Sequence, residues 1–237
     1  MIFEKEFTVE ESQVDSRGRL KLSSLLLIFQ ELAGEQCSRR GLGWQSLWDR
    51  GLFWAVTRNR GTLQRLPRLG EKVRMRTWPM PQTRTAYPRA MELTDGQGNL
   101  LVQVMSLWVL MDHEKRTMVL PGRSGVEVPG ITLGTELPAP GSMAPVQGEI
   151  LETRTVQPVD LDHNGHMNNT RYLDWAAEFF GQALMEHPPK SFQIGYLSEA
   201  LAGEELGLKA VWEPGRLLLE GVRDGAPNRV FSLELDI

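Results

Sequence analysis

An internal duplication constrains the fold of this chain more than any other feature of its sequence. The segment 95–99 (DGQGN) recurs 129 residues later as 224–228 (DGAPN), and both copies lie between apolar runs. An Asp-Gly pair in this setting is typical of a β-hairpin turn. Three further landmarks recur in the same order: 70–73 (GEKV) as 203–206 (GEEL), Trp78 as Trp212, and Val14-Asp15 as Val159-Asp160. Together they predict two copies of one fold unit.

Each copy is predicted to contain a short strand, a long helix and several further strands. Apolar residues of the first helix follow the spacing i, i+3, i+4, i+7, which favours a helix with one buried face. They are Leu22, Leu25, Leu26, Phe29 and Leu32. The second helix carries a similar stripe between Tyr172 and Leu184. Period-two alternation after each helix, as in 74–78 and 101–110, is typical of strands. These patterns predict an α+β fold, in which an antiparallel sheet wraps a helix twice over.

Weaker signals mark the ends of these elements. Pro188 and Pro189 are expected to end the second helix, because proline cannot continue it. Residues 121–148 are rich in proline and glycine, which predicts a connection between the copies. We therefore expect an N-terminal unit at 1–125, a linker at 126–147 and a C-terminal unit at 148–237. The predicted helix caps are Ser23 or Ser24 for the first helix and Asn168 or Asn169 for the second.

The charge is divided unevenly between the two halves of the chain. Residues 1–130 carry 19 Lys and Arg against 14 Asp and Glu, whereas 131–237 carry 7 against 16. A basic half on a chain of net charge −4 predicts a local anionic partner. The arginines are scattered, and the sequence has no basic helix or nucleic-acid-binding motif, so we expect no nucleic-acid binding.

The composition also bears on the compartment. The single cysteine, Cys37, cannot form an intrachain disulfide, which favours a reducing compartment. The first dozen residues contain no apolar run of signal-peptide length, and no segment approaches the roughly 18 apolar residues of a membrane span. We expect a cytoplasmic protein without a membrane span.

The candidate chemistry is concentrated in 160–169 (DLDHNGHMNN), immediately before the second helix. This segment holds two of the four histidines, together with two aspartates and three asparagines. Imidazole can carry protons, a carboxylate can activate water, and the N–H groups at a helix start can stabilise an oxyanion. A capped turn would explain the same composition. The corresponding segment of the first copy, 15–20 (DSRGRL), has no Asn or His, which favours function in the second copy only.

The segment 162–172 (DHNGHMNNTRY) resembles the D-x-N-x-H-x-N-N-x-x-Y signature of acyl-acyl-carrier-protein (acyl-ACP) thioesterases. The resemblance covers nearly the whole chain, and the family has two tandem hotdog units, each a helix wrapped by an antiparallel sheet. It therefore implies a double hotdog fold and hydrolysis of acyl-ACP to free fatty acid and ACP in fatty acid biosynthesis. Further matching segments are 20–26 (LKLSSLL), 29–31 (FQE), 54–58 (WAVTR), 77–79 (TWP) and 106–112 (SLWVLMD).

The resemblance also implies a catalytic set. Asp162, Asn164 and His166 match the signature, and Glu199 matches a glutamate within a Y-x-x-E pattern at 196–199. An offset of 133 places Leu66 opposite Glu199 in the first copy, so one active site per chain is expected. Ala200 stands where plant members often have cysteine, which excludes a cysteine nucleophile there. Glu199 or Asp162 is then the general base, and direct carboxylate attack stays open.

The acyl chain requires an apolar slot, which the resemblance assigns largely to the first copy. Leu26, Phe29, Trp54 and Met105 are candidate lining residues, although each could equally be core. The expected partner is the acidic acyl carrier protein, which suits the basic first half. We expect no cofactor and no metal, because His163 and His166 have no third ligand nearby in the sequence. A homodimer is left open.

Two other functions remain open from the sequence. An acyl-CoA thioesterase of the hotdog superfamily would share the chemistry and differ only in the carrier. A binding module for acyl carriers would lack turnover, but it predicts loss of catalytic positions that are all present here. Hotdog dehydratases are disfavoured because the sequence lacks their His-Phe-Pro type signature.

Overall fold

The apolar stripe of the first helix is the buried face of α1 (Leu22–Ser38) in a computed structural model that describes residues 2–133, 137–225 and 228–237. Leu25, Leu26, Phe29 and Leu32 are buried, and α1 contacts the strands β1 (Phe3–Thr8) and β3 (Lys72–Pro79). The chain divides into two compact units, residues 1–140 and 141–237.

The first unit is a five-stranded antiparallel sheet with its long helix. The sheet has the order β1-β3-β4-β5-β2, and the short strand β6 pairs with β5. Besides α1, β1 and β3, the elements are α2 (Trp44–Trp48), β2 (Leu52–Leu63), β4 (Tyr87–Asp95), β5 (Leu100–Asp112), β6 (Met118–Val119) and α3 (Pro121–Ser124).

The second unit repeats this plan. Its antiparallel sheet has the order β7-β9-β10-β11-β8, which matches the first order strand by strand. The repeated Asp-Gly segments occupy corresponding connections, since 95–99 joins β4 to β5 and 224–228 lies between β10 and β11. The elements are β7 (Glu152–Thr155), α4 (Arg171–Phe180), α5 (Gln182–Glu186), β8 (Ser191–Tyr196), β9 (Glu205–Glu213), β10 (Arg216–Val222) and β11 (Arg229–Asp236).

Three helix boundaries differ from the prediction, and one of them is the N-cap of α4, which is Thr170 and neither Asn168 nor Asn169. Lys21 is the N-cap of α1, and neither Ser23 nor Ser24 caps it, because both lie inside the first turn. The second helix stops at Gly181, where φ is 44° and ψ is −111°, and α5 follows directly. A left-handed glycine ends the hydrogen-bonded ladder before the two prolines are reached.

Two of the predicted segments lie partly outside the described residues. Residues 134–136 of the expected linker and residues 226–227 of the second repeated turn lie outside the described residues. Between Gly125 and Leu151, the described residues form neither helix nor strand. Ile131 and Leu133 pack against the buried cluster of Trp78, Ala90 and Met105 in the first unit. Within the described ranges, no helix is both long and apolar enough to cross a membrane.

Two leucines on α1 provide a test of this packing. Leu25 is completely buried and Leu27 is 41% exposed on the same helix. We expect Leu25→Ala to lower the free energy of unfolding by about 2–5 kcal/mol, because it removes buried methyl groups and leaves a cavity. Leu27→Ala has the same change in helix propensity and is expected to stay within about 0.5 kcal/mol of the wild type. Urea unfolding measures both, and equal losses would contradict the orientation of α1.

Candidate active site

The candidate motif forms a tight turn that Asp162 holds together. The Asp162 Oδ1 accepts hydrogen bonds from the backbone N–H groups of Asn164, at 2.8 Å, and of His166, at 3.4 Å. The Asp162 N–H donates to the His166 carbonyl at 2.8 Å, and Gly165 occupies the left-handed region with φ 81°. The Asn164 Nδ2 lies 3.4 Å from the Asp162 Oδ2. These contacts fix the backbone positions of Asn164 and His166.

A main-chain hydrogen bond joins this turn to the loop that carries Glu199. The Met167 N–H donates to the Ala200 carbonyl at 2.8 Å, and Ala200 is completely buried. The residues that precede this bonded pair, His166 and Glu199, consequently face each other. Their side chains approach to 3.4 Å between His166 Nε2 and Glu199 Oε2. The four residues predicted as catalytic, Asp162, Asn164, His166 and Glu199, are therefore contributed by these two joined loops.

The first unit has the same backbone hydrogen bonds with other side chains, and we call this common arrangement the shared frame. Asp15 Oδ1 accepts from the N–H groups of Arg17 and Arg19, both at 2.9 Å, as Asp162 does for Asn164 and His166. The Leu20 N–H donates to the Pro67 carbonyl at 2.8 Å, as Met167 does to Ala200. These bonds place Arg19 at the position of His166 and Leu66 at that of Glu199. Only the second unit carries the His–Glu pair.

This correspondence corrects one part of the duplication. The sequence paired Val14-Asp15 with Val159-Asp160, but the turns superimpose Asp15 on Asp162, two residues further on. The isolated β-bridges agree, since Val14 pairs with Leu20 and Leu161 pairs with Met167. The aspartate of the motif is therefore common to both units, whereas the asparagine and the histidine are not.

Asp160 has a separate, structural position beneath the turn. Its buried carboxylate accepts the N–H of Gln157 and lies 3.0 Å from Nε of Arg171, the first residue of α4. The Asp160 carbonyl accepts the Asn168 N–H at 2.8 Å. This ion pair joins the start of the motif to the start of α4, and no pattern in the sequence indicated Arg171.

The start of α4 differs from the expected oxyanion site. Asn168 precedes the helix, and its Oδ1 accepts both the N–H and the hydroxyl of Thr170, the N-cap residue. The N–H groups of Met167, Asn168, Thr170 and Arg171 all donate to acceptors within the protein. The expectation that these helix-start N–H groups face substrate is therefore wrong for these four, because the turn already uses them.

The signature tyrosine lies under the site in an aromatic layer. The Tyr172 ring centroid is 4.6 Å from that of Phe231 and 5.9 Å from that of Tyr196. Burial raises the pKa of the Tyr172 phenol far above its ordinary value, because the phenolate would lose its hydration. Tyr172 therefore stays neutral and supports the first turn of α4 by packing.

The predicted slot residues all belong to the first unit. Leu26, Phe29 and Met105 are buried among core side chains. Trp54 is partly exposed, donates from Nε1 to the Leu42 carbonyl at 3.0 Å, and meets the Tyr87 ring edge-on at 5.0 Å. Their role in holding an acyl chain stays a prediction.

Two further expectations concern Cys37 and metal binding. Cys37 is a partly exposed free thiol near the end of α1, 3.7 Å from Nη2 of the buried Arg89. In the part of the chain that the structure describes, no group of three or more His, Cys, Asp and Glu side chains could hold a metal ion.

Two tandem units of a helix and an antiparallel sheet, with a His–Glu pair in one of them, define a double hotdog protein with a candidate hydrolytic site. Family models agree: residues 1–120 match the acyl-ACP thioesterase N-terminal domain, and residues 144–216 match the acyl-ACP thioesterase C-terminal domain. The chain therefore belongs to the acyl-ACP thioesterase family.

Individual relatives are distant. A chloroplastic palmitoyl-acyl carrier protein thioesterase of Gossypium hirsutum is 23% identical over 84% of this chain and 52% of its own length. A chloroplastic dodecanoyl-[acyl-carrier-protein] hydrolase of Cinnamomum camphora is 23% identical over 84% of this chain and 56% of its own length. The chain thus spans about half the length of the curated relatives it matches.

Solved structures show the fold. An acyl-ACP thioesterase from Bacteroides thetaiotaomicron is 24% identical and superimposes with a TM-score of 0.89, covering 99% of this chain and 97% of its own. The 12:0-ACP thioesterase from Umbellularia californica is 20% identical with a TM-score of 0.78, covering 99% and 96%.

The shared aspartate turn makes a pH-dependent contribution to stability that Asp15 can test. Burial favours a higher pKa for Asp15, but hydrogen bonds from Arg19 and Arg17 outweigh it and hold the pKa below its usual value. The carboxylate therefore stabilises the fold above the unfolded-state pKa of about 3.9, and this is lost as the pH falls through the lower folded value. We expect Asp15→Asn to cost roughly 0.5–1 kcal/mol at pH 7.

Urea unfolding of the wild type and the Asp15→Asn variant between pH 7 and about pH 3 measures this effect. The stability gap should be constant above about pH 5 and should narrow in more acidic solution. A gap that widens in acid would show that the carboxylate is not stabilised by its turn.

Proposed function

We propose that this protein is a thioester hydrolase that releases fatty acid from acyl-ACP. The single observation that carries the proposal is the His166–Glu199 pair, whose side chains approach to 3.4 Å. Both units have the shared frame, but only the second unit carries a histidine and a glutamate on it. Membership of the acyl-ACP thioesterase family supports the substrate class, and the relatives named above are described as acyl carrier protein thioesterases and hydrolases.

Glu199 is the carboxylate best placed to act on water. Its side chain is 42% exposed and faces an imidazole that is 16% exposed, so solvent reaches the carboxylate while the histidine is partly shielded. A carboxylate next to imidazole can take a proton from an attacking water. Water then adds to the thioester carbonyl, and the tetrahedral intermediate breaks its C–S bond. The thiolate that leaves receives its proton through His166.

Asp162 has a different role in this scheme. Its Oδ1 already accepts two backbone N–H groups, and Asp15 does the same in the unit without the pair. We assign Asp162 to holding the turn and Glu199 to the proton transfer. The Asn164 amide has two N–H donors. One points towards Asp162 Oδ2, which orients the group, and in this scheme the amide stabilises the developing oxyanion.

A covalent route is the second form of the same chemistry. Glu199 would attack the thioester carbonyl directly and form a mixed anhydride, which water then hydrolyses. The exposure of Glu199 suits either route. Single turnover in water enriched in ¹⁸O separates them: water that attacks the Glu199 carbonyl of the anhydride leaves its label in the protein carboxylate and releases a fatty acid with a Glu199 oxygen, whereas direct attack by water on the thioester labels only the fatty acid.

The proposed partner is the acyl carrier protein. Support comes from the family and from the excess of Lys and Arg over Asp and Glu in residues 1–130, since an acidic carrier is attracted to a basic surface. Several of these arginines are paired with nearby acids, as Arg74 with Glu6 on the adjacent strand and Arg65 with Glu71 in the same loop. The net attraction is therefore smaller than the count of arginines indicates.

The compartment and the oligomeric state are separate proposals. We place the protein in the cytoplasm. Light scattering will decide between a monomer and a homodimer.

The test of the proposed function is thiol release by the purified protein. ACP and coenzyme A esters of the same acyl chains, from C8 to C18, are compared at equal concentration. Fast release from ACP esters with an optimum chain length supports the proposal. Preference for coenzyme A esters would make the protein an acyl-CoA thioesterase, and absence of release from either carrier would favour a binding module.

Substitution of the facing pair should remove turnover without unfolding the protein. His166→Ala is expected to lower kcat at least ~100-fold, because it removes the proton carrier. Glu199→Gln keeps the size of the side chain but cannot accept the proton, and a comparable loss is expected. His187→Ala, at an exposed position of the same unit, is the control and should leave kcat unchanged. A fully active Glu199→Gln variant would leave Asp162 as the base.

A further inference from the structure

Arg223, which follows β10, contacts the loop that carries Glu199. Its Nη2 donates to the Glu199 carbonyl oxygen and, at 2.9 Å, to the Ser198 hydroxyl. Its Nη1 lies 3.0 Å from Glu204 Oε1 and 2.9 Å from Glu204 Oε2. One guanidinium therefore joins three residues of a single loop, and the central contact is made to the backbone of the candidate base.

The same loop is held on its other side by β11. The N–H groups of Leu197 and Ser198 both donate to the Val230 carbonyl, at 2.8 and 3.2 Å, and the Ser198 hydroxyl donates to the Arg229 carbonyl at 3.0 Å. The Met167 bond to Ala200 closes the loop against the motif. Between these two anchors lies Glu199, and its carbonyl is held by Arg223.

In the first unit, the glutamate that corresponds to Glu204 is neutralised by an arginine from a different place in the chain. Glu71, at the position of Glu204, pairs with Arg65 through two hydrogen bonds of 2.7 and 2.9 Å. Arg65 occupies the position of Ser198, within the loop itself. Asp95 stands where the second unit has Arg223, since its N–H donates to the Asn99 carbonyl as the Arg223 N–H donates to that of Asn228, and its carboxylate lies 3.9 Å from Arg65 Nη2. Neutralising the glutamate therefore does not require an arginine from the hairpin.

Only in the unit with the His–Glu pair does the arginine also reach the backbone of the candidate base. The Arg223 Nε is buried and has no hydrogen-bond partner among the described residues. Buried donors without acceptors are uncommon and costly, which indicates that the guanidinium is oriented for its Nη contacts. Charge-assisted hydrogen bonds of this kind restrict geometry more than neutral ones do.

We propose that Arg223 is a positioning residue that holds Glu199 opposite His166. This rests on the proposed function, in which Glu199 accepts a proton. Arg223 acts through the backbone: it fixes the Glu199 peptide, and the peptide fixes the distance between the carboxylate and the imidazole. Small misplacements of a reacting group lower rates steeply, so its removal should affect turnover more than substrate binding.

The activity test compares Arg223→Gln and Arg223→Lys with Arg65→Gln. The Arg65 variant removes the corresponding ion pair from the first unit and is the matched control. Arg223→Gln should lower kcat for thioester hydrolysis by about 10–100-fold with KM within about 2-fold. Arg223→Lys keeps the charge but cannot span all three contacts, and an intermediate kcat is expected. Arg65→Gln should leave both constants unchanged, and an equal loss of kcat in this control would overturn the proposal.

Amide hydrogen exchange tests the positioning without any turnover. The Met167 N–H reports whether the Glu199 loop is docked on the motif, and the Leu20 N–H bonded to Pro67 is the internal control. Arg223→Gln should speed exchange at Met167 at least ~10-fold relative to Leu20, and Arg65→Gln should not change exchange at Met167.

The two readouts separate this proposal from the proposed function. If the wild type hydrolyses no thioester, the function fails and the exchange of Met167 alone decides the role of Arg223. Unchanged Met167 exchange in Arg223→Gln would overturn the positioning role, whatever happens to kcat. Faster exchange with an unchanged kcat in an active enzyme would overturn it as well.

Discussion

The hydrogen bond between the Met167 N–H and the Ala200 carbonyl is the contact on which the candidate site depends. It brings two loops together that are 33 residues apart in the chain, and it does so through backbone atoms, so the side chains on either side are free to vary. The histidine and the glutamate that face each other are the residues immediately before this bonded pair. Buried main-chain hydrogen bonds tolerate little displacement, because breaking one leaves polar groups without partners.

The aspartate turn supplies the second constraint. Asp162 and Asp15 hold the same backbone conformation in the two units with the same hydrogen bonds to N–H groups two and four residues ahead. An acidic residue that appears within a catalytic signature can thus have a structural origin. Comparison of the two units separates what they share, the aspartate and the glycine of the turn, from what only the second unit has, the histidine and the glutamate.

Much of the fold could be predicted from the sequence, because the duplication, the helix stripes and the Asp-Gly turns are local patterns. The strand order then follows the repeat. The cap of α1 was predicted incorrectly, because Ser23 and Ser24 have the right chemistry but lie two and three residues beyond the N-cap, Lys21. The end of α4 was missed because Gly181 is a weaker local signal than two prolines.

The site was predictable in part. Asp162, Asn164 and His166 are close in sequence, so a turn is enough to bring them together. Glu199 is distant in sequence and was indicated by the resemblance alone. Arg171 and Arg223 escaped prediction, because each binds a residue 11 to 25 positions away through geometry that only the folded chain defines. The role of the helix-start N–H groups could not be predicted either, because their acceptors depend on the folded turn and, for Met167, on the loop that carries Ala200.

The shared frame also bears on how such a site is gained or lost. In the first unit, Arg19 and Leu66 stand at the positions of His166 and Glu199, on a backbone that already has the aspartate turn and the main-chain bond between the loops. A unit with the pair and a unit without it therefore differ at these positions by side chains and not by chain path. After a duplication, one copy can lose its reactive groups through a few point substitutions and keep its architecture, which leaves its surface open to selection for another task.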